Sequence, residues 1–187
     1  GATLSGTAIE LLEARHGRED FDCGNDALND FLRRRAGQQQ RRGFGKTYVV
    51  LADNGADVIG FVTVSVGQVE ARALPSQLKL PRHPAPMLRI GRLAVDKRAQ
   101  GKGMGRELLA FALHLALEFA ERVGLYAVVV DAKDAQAADF YRRLHFEPTL
   151  DDDLAFPALV KACKDARRAA MKFDPEARRA ARPALSY

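Results

Sequence analysis

Cysteine is scarce in the 187 residues: Cys23 and Cys163 form neither a CxxC pair nor a metal-ligand spacing. Unpaired thiols of this kind fit a reducing cytoplasm and give no disulfide or zinc framework. The four histidines, His16, His83, His114 and His145, are scattered, so no metal is expected and no general base stands out. No apolar run approaches eighteen residues, which excludes a membrane-spanning helix. The opening GATLSG lacks the basic and apolar regions of a signal peptide. Because the chain starts with Gly1 rather than methionine, residues 1–6 are expected to be a cloning remnant or disordered, outside the fold. Internal repeats and low-complexity segments are absent too.

What is present is a composition of 47% hydrophobic and 28% charged residues, typical of a globular chain long enough for one domain. The net charge of +5 is unevenly spread. Arg33, Arg34, Arg35, Arg41, Arg42 and Lys46 fall in one stretch without an acid, and a second basic block runs over 82–106 with Asp96 as its only acid. Charge runs are commonly solvated faces, but clusters like these also suit a phosphate-bearing partner.

The periodicities outline the fold. An apolar run at 8–13 (AIELLE) predicts an opening strand. Asn25 and Asp26 are good helix N-caps, and Leu28, Phe31, Leu32 and Ala36 recur at helical spacing, with fraying expected near Gly37. TYVVLA at 47–52, then Asn54-Gly55, then an alternating run at 58–69 predict an antiparallel hairpin. In that run Val58, Val62, Val64 and Val66 are assigned to one face. A loop is expected at 74–86, a strand at 88–95, and a helix at 103–123 ending at Gly124. The helix stripe is Leu108, Ala112, Leu115 and Phe119. YAVVV at 126–130 reads as a buried parallel strand, Asp134 as the cap of a short helix, and Phe146 as the start of another strand. The order predicts an α/β (α+β) mixed, mostly antiparallel sheet with flanking helices. The domain is expected over 7–150, with 151–187 a basic, helix-prone extension.

The most informative stretch is RLAVDKRAQGKGMGRELL, 92–109. Gly101, Gly103 and Gly105 alternate between a strand and a helix, where consecutive amides and the positive end of the helix dipole can hold an anion. A pyrophosphate is the natural occupant, with Arg98 and Lys102 adding charge. Gly101 and Gly103 are expected to be too crowded for a side chain. The run matches neither a clean GxGxxG fingerprint nor a P-loop, since no Gly-Lys-Ser or Gly-Lys-Thr follows.

Arg98-x-x-Gly101-x-Gly103 resembles the [Q/R]xxGx[G/A] signature of the Gcn5-related N-acetyltransferases (GNATs). FDCGNDALNDFL at 21–32, TYV, GRLAVD at 91–96, the glycine turn, VVDA at 129–132 and AADFY at 137–141 follow in the order found in the acetyltransferase toxins of bacterial toxin–antitoxin systems. The likeness covers about three quarters of the chain. It implies the GNAT fold and acetyl-CoA as co-substrate, held by Leu93, Ala94, Val95, Arg98, Gln100, Gly101, Lys102, Gly103, Met104, Gly105 and Arg106. It implies that Tyr141 sits beside the departing sulfur, and that the acceptor is the α-amine of aminoacyl-tRNA. A small cognate antitoxin and a homodimer are implied as partners. On this reading Arg33, Arg34, Arg35, Arg41, Arg42, Lys46, Arg89 and Arg92 are candidates to hold tRNA phosphates. His145 stands where those toxins usually have glycine, and a strand remnant around 154–156 running into a basic helix replaces their usual ending.

An α-amine, with a pKa near 7.7–8.0, is already partly neutral at physiological pH, so the lack of an obvious base favours it over a lysine side chain. Cys23 is weighed as an acyl carrier and set aside, because Asp22 and Asp26 would raise its pKa. Two alternatives remain: a GNAT enzyme for a small-molecule or protein amine, and a degenerate, non-catalytic acyl-CoA-binding module.

Overall fold

The computed structural model describes residues 2–4, 7–69, 84–144, 146, 155–159 and 164–165. Among the described residues, seven strands form a single sheet in chain order: β1 (Ala2–Leu4), β2 (Thr7–Leu11), β3 (Lys46–Leu51), β4 (Val58–Val69), β5 (Ala85–Val95), β6 (Ala127–Asp131) and β7 (Ala155–Leu159). Every neighbouring pair is antiparallel except β5–β6. That exception follows from the crossover helix α3 (Met104–Arg122), since a parallel pair needs a long connection. The mixed, mostly antiparallel sheet predicted from the sequence is therefore observed. The segment 2–4, expected to lie outside the fold, is an edge strand paired with β2. Likewise the sheet runs past 150, because β7 lies along the whole of β6.

Helices cover both faces. On one face α3 and α4 (Ala135–Arg143) pack on Val62, Val64, Ile90, Val128 and Val130. The helix face turned inward is Leu108, Phe111, Ala112 and Ala116, while Leu115 and Phe119 are only half-buried; the stripe is rotated from its predicted position. On the other face α1 (Asp26–Asp30), a π-helical turn (Phe31–Arg35) and α2 (Ala36–Arg41) cover Val49, Val58 and Phe61. Phe31 and Phe61 stack at 6.1 Å and Phe21 meets Phe61 edge-on at 5.5 Å. Each such buried ring contributes roughly 1.5–3 kcal/mol.

Two predictions for β4 change. Val58 joins Phe61 rather than Val62, because the β3–β4 pairing steps from Val50↔Gly60 to Leu51↔Val58 and the bulge flips the alternation. Val66, assigned to the same face as Val62, is 69% exposed. Fraying at Gly37 does not occur either. The helix continues to Arg41, where Gln40 ties it to the residue after β2 and to β3, its Nε2 donating to the Leu12 carbonyl at 2.9 Å and its Oε1 accepting from Thr47 N–H at 3.0 Å.

Asn25 caps α1 by accepting from Leu28 N–H, and Asp134 caps α4 by accepting from Ala137 N–H, both as predicted. Phe146 itself lies outside any strand, its N–H donating to the Tyr141 carbonyl at 3.1 Å at the end of α4, and residues 147–154, where the expected strand would run, lie outside the described residues. Most of the predicted loop (74–83), His145, and nearly all of the extension lie outside the described residues.

Candidate active site

The site begins with one extra residue. β4 pairs Thr63 with Arg92 but Val64 with Ile90, leaving Gly91 as a bulge in β5. Pairing of β5 with β6 ends at Ile90↔Val130. Beyond the bulge the two strands part, and the last residues of β5 line an open slot. Asp96 N–H donates to the Ile59 carbonyl at 2.9 Å. Counting back along this antiparallel ladder, Ala94 and Arg92 also turn their backbone groups to β4, whereas Leu93 and Val95 turn theirs into the slot. The Val95 carbonyl is already taken by Gln100 Nε2 at 2.9 Å. The amides of Leu93 and Val95, not that of Ala94, are therefore placed to meet a carbonyl oxygen.

The glycine turn stands at the mouth of this slot. Gly101 and Gly103 have φ of +76° and +84°, and Gly103 is the N-cap of α3. A Cβ at either would meet nothing within 4 Å. Crowding, the predicted reason for glycine, is not the constraint; the left-handed backbone is. Arg106 N–H returns to the Gly103 carbonyl at 3.0 Å, so the amides left without a helical partner are those ahead of it, from Gly101 to Gly105. Gly60 lets the turn come this close to the sheet, because a Cβ there would sit 2.9 Å from Met104 Sδ.

The two side chains expected to add charge are partly engaged. The Arg98 guanidinium is bidentate on Asp96, with Nε to Oδ1 at 2.8 Å and Nη2 to Oδ2 at 2.9 Å, and Lys102 Nζ reaches the Arg98 carbonyl at 3.4 Å. Gln100 faces inward, donating also to the Cys23 carbonyl at 3.2 Å. Arg98 and Gln100 thus shape the turn.

Behind it lies a latch that sequence reasoning treated only as a motif. Asp22 Oδ1 accepts from Gly24 N–H and Asn29 Nδ2, while its Oδ2 pairs with Lys97 Nζ at 2.8 Å. Asp22 N–H donates to Asp96 Oδ2, and Lys97 N–H returns to the Asp22 carbonyl. Asn29 Oδ1 accepts from Cys23 N–H at 2.9 Å. The FDCGNDALN segment therefore holds the strand end from which the glycine turn departs. Its signal in the sequence is the clustering of Asp and Asn around one glycine, a turn chemistry rather than a catalytic one. Cys23 is buried in this latch and lines neither cavity described below. Burial is the first cause pushing its thiol up, Asp22 adds little, and an acyl-carrying role is not supported.

Asp96 gives the latch a measurable stability. Its side chain is 2% exposed, and the hydrogen bonds from Arg98 hold its pKa at about 2 against an ordinary 3.8. A lowered carboxylate pKa stabilises the fold above the unfolded value and loses that contribution as pH falls through the folded one. Asp96→Ala is expected to cost about 2 kcal/mol at pH 7 in urea titration, the gap to wild type narrowing below pH 4.

Tyr141, on α4, is 4% exposed and set among aromatics, with Phe140 at 5.2 Å and Phe146 at 6.1 Å between ring centroids. It closes a cavity of about 80 Å³ with Gly91, Leu93, Asp131, Ala132 and Ala137. A larger cavity of about 340 Å³ adjoins it, bordered by Phe44, Thr63, Ser65, Arg89, Arg92 and Asp131. Leu28, Gly91, Arg92 and Asp131 border both, so the slot opens directly onto a polar groove.

The model of the acetyltransferase (GNAT) domain family matches residues 40–148. The chain belongs to the GNAT acetyltransferase family. A tRNA-acetylating toxin of Mycobacterium tuberculosis (strain ATCC 25618 / H37Rv) shares 34% identity with this GNAT chain over 143 residues, covering 75% of it and 84% of the toxin. A probable toxin TacT of Sinorhizobium fredii (strain NBRC 101917 / NGR234) shares 26% over 158 residues, covering 77% and 87%. Among solved structures, AtaT complexed with acetyl-methionyl-tRNAfMet superposes with a TM-score of 0.79 at 30% identity, over 86% of this chain and 98% of that one. AtaTR bound with AcCoA gives 0.76 at 30% identity, over 86% and 97%.

The arginines of the GNAT chain separate into groups. Arg33 Nη2 donates to the Phe21 carbonyl, and Arg34 and Arg35 pair with Asp30 at 3.2 and 2.8 Å. The acid-free stretch in the sequence thus has its acid one turn earlier on the helix. Arg41, Arg42 and Lys46 are exposed. Arg89 and Arg92 border the groove, Arg89 pairing with Asp131 at 2.9 Å and Arg92 lying 4.0 Å over the Phe31 ring. Burial, and then repulsion from Arg35, lowers the pKa of Arg92. Among the described residues no cluster of ligating side chains could hold a metal, and no helix is long and apolar enough to cross a membrane.

Proposed function

We propose that this GNAT chain transfers the acetyl group of acetyl-CoA to the α-amine of the aminoacyl group on charged tRNA, and so acts as a translation-blocking toxin of a toxin–antitoxin pair in the cytoplasm. The observation that carries the reading is the shared wall. The slot holding Tyr141 and the amides of Leu93 and Val95 opens into a groove edged by Arg89 and Arg92. Such a groove suits a phosphate-bearing acceptor better than a polyamine, which an acidic pocket would serve. The relative named as a tRNA-acetylating toxin, and the similar structure holding an acetylated charged tRNA, support the same acceptor. Similar toxins solved with an antitoxin support a protein partner of that kind, and a homodimer is part of the reading.

Acetyl-CoA supplies the activated thioester. The turn amides from Gly101 to Gly105 hold its pyrophosphate. The amides of Leu93 and Val95 polarise the thioester carbonyl and stabilise the oxyanion. The Tyr141 hydroxyl donates to the departing sulfur. Arg33, Arg34, Arg35, Arg41, Arg42 and Lys46, with Arg89 and Arg92, take up tRNA phosphates; Arg33 already gives one N–H to the Phe21 carbonyl.

The test incubates labelled acetyl-CoA with charged tRNA, deacylated tRNA, a peptide and spermidine. Label on charged tRNA as N-acetyl-aminoacyl ester, and none on deacylated tRNA, is the expected result. Label on peptide or spermidine alone returns the chain to the wider acetyltransferase reading. Neutralising Arg41, Arg42 and Lys46 should flatten the salt dependence of tRNA affinity by roughly 0.7–0.9 for each phosphate that these cations neutralise.

A further inference from the structure

Acetyl transfer to an amine needs a group that takes the proton the amine sheds, and among the described residues no histidine lines either cavity. His16 is buried beside Glu10 and Glu13, and His114 faces Glu118 on α3. The carboxylate on the wall common to both cavities belongs to Asp131. This residue ends β6, one position past the last pairing with β5, where the two strands part. Its Oδ2 lies 3.8 Å from where a Cβ on Gly91 would stand, so the carboxylate sits over the bulge that opens the slot. Arg89 Nε forms an ion pair with the same oxygen at 2.9 Å, and the Asp131 side chain is 34% exposed. The charge of Asp131 is felt at both Tyr141 and Arg92.

We propose that Asp131 is a catalytic residue of this chain, the proton acceptor for the attacking amine. The proposal rests on the reading that the chain acetylates an amine, whichever amine that is. The neutral nitrogen forms its bond to the thioester carbon, and the carbonyl π pair moves to oxygen, held by the Leu93 and Val95 amides. The nitrogen is now cationic and passes one proton to an Asp131 oxygen. The carbonyl re-forms as the C–S bond breaks, with sulfur keeping the electron pair. The proton held by Asp131 then reaches the thiolate, leaving amide, thiol and the original carboxylate. An ordinary carboxylate, with a pKa near 3.9, is a poor base toward a free ammonium near 8. After attack the nitrogen is bonded to the acyl carbon and is a far stronger acid, so a carboxylate suffices at that stage.

Kinetics of Asp131→Ala and Asp131→Asn test this, with charged tRNA, a peptide and spermidine run in parallel. On whichever amine the wild type uses, kcat is expected to fall about 100-fold or more. Acetyl-CoA affinity should stay within twofold. Added formate or acetate should restore part of the kcat of Asp131→Ala but not of Asp131→Asn, whose amide still fills the site. A merely structural partner for Arg89 would show no such rescue. Retention of kcat within fivefold in either folded variant overturns the proposal, as does a kcat loss in Asp131→Ala that no carboxylate restores. Should Asp131→Ala not fold, the kcat of the near-isosteric Asp131→Asn decides alone. A wild type that labels only peptide or spermidine defeats the tRNA reading while Asp131 is still judged on that amine.

Discussion

Turnover of the Tyr141→Phe variant is expected to fall by about 100- to 1,000-fold, the range found when one donor to a developing anion is removed. The change deletes one oxygen and leaves the ring among Phe140 and Phe146, so the fold should hold. Even at ordinary values, a phenol near 10 and a thiol near 8.5 make full proton transfer to the thiolate uphill by roughly 2 kcal/mol. Burial, and after it the charge of Asp131, push the Tyr141 phenol well above its usual range. A raised pKa means that the hydroxyl keeps its proton throughout the working pH range. Tyr141 therefore acts by donating a hydrogen bond to the sulfur, and its loss should change kcat without adding or removing an ionisation in the kcat profile. Acetyl-CoA affinity by calorimetry should be nearly unchanged, because the contact strengthens only as charge develops on sulfur. Wild-type turnover in this variant would reduce Tyr141 to a packing residue.

Much of this site is legible in the sequence because its parts are local. A strand, three alternating glycines and a helix start are contiguous, and their amides converge through backbone geometry alone. Asn25 and Asp134 are identifiable as caps for the same reason. The rest depends on contacts between distant segments. Nothing near Asp131 in the sequence marks it as facing Tyr141 and Arg89; the bulge at Gly91 and the end of β5–β6 pairing bring them together. The basic stretch misleads for a similar reason: composition counts cations without locating Asp30 beneath them or the Phe21 carbonyl beside Arg33. A bulge also accounts for the failed face assignment of Val58, since alternation holds only where pairing stays in step.

Gly103→Val is expected to abolish measurable acetyl-CoA binding, weakening it by about 100-fold or more, while the chain remains folded. Space alone would predict a harmless change, because a Cβ at Gly103 meets nothing within 4 Å. The backbone decides otherwise: at φ +84° an L-residue carries a penalty of about 1–2 kcal/mol, and a β-branched one more. Gly103 is the N-cap of α3, so relaxing its φ reorients the first-turn amides of Met104 and Gly105. Those amides, with Gly101 and Lys102, are the proposed pyrophosphate cradle, and an anion site built from backbone cannot be repaired by a neighbouring rotamer. The helix itself is anchored further on by Leu108, Phe111, Ala112 and Ala116, which keeps the fold in place. A graded series separates strain from bulk. Gly103→Asn tolerates the left-handed region and should lose least, Gly103→Ala should lose about 5- to 30-fold on the penalty above, and valine should lose most. If bulk governed instead, alanine would be the mildest of the three and asparagine would approach valine. Calorimetry at constant pH, with circular dichroism to confirm folding, gives the order, and unchanged affinity in Gly103→Val would remove the pyrophosphate from this turn.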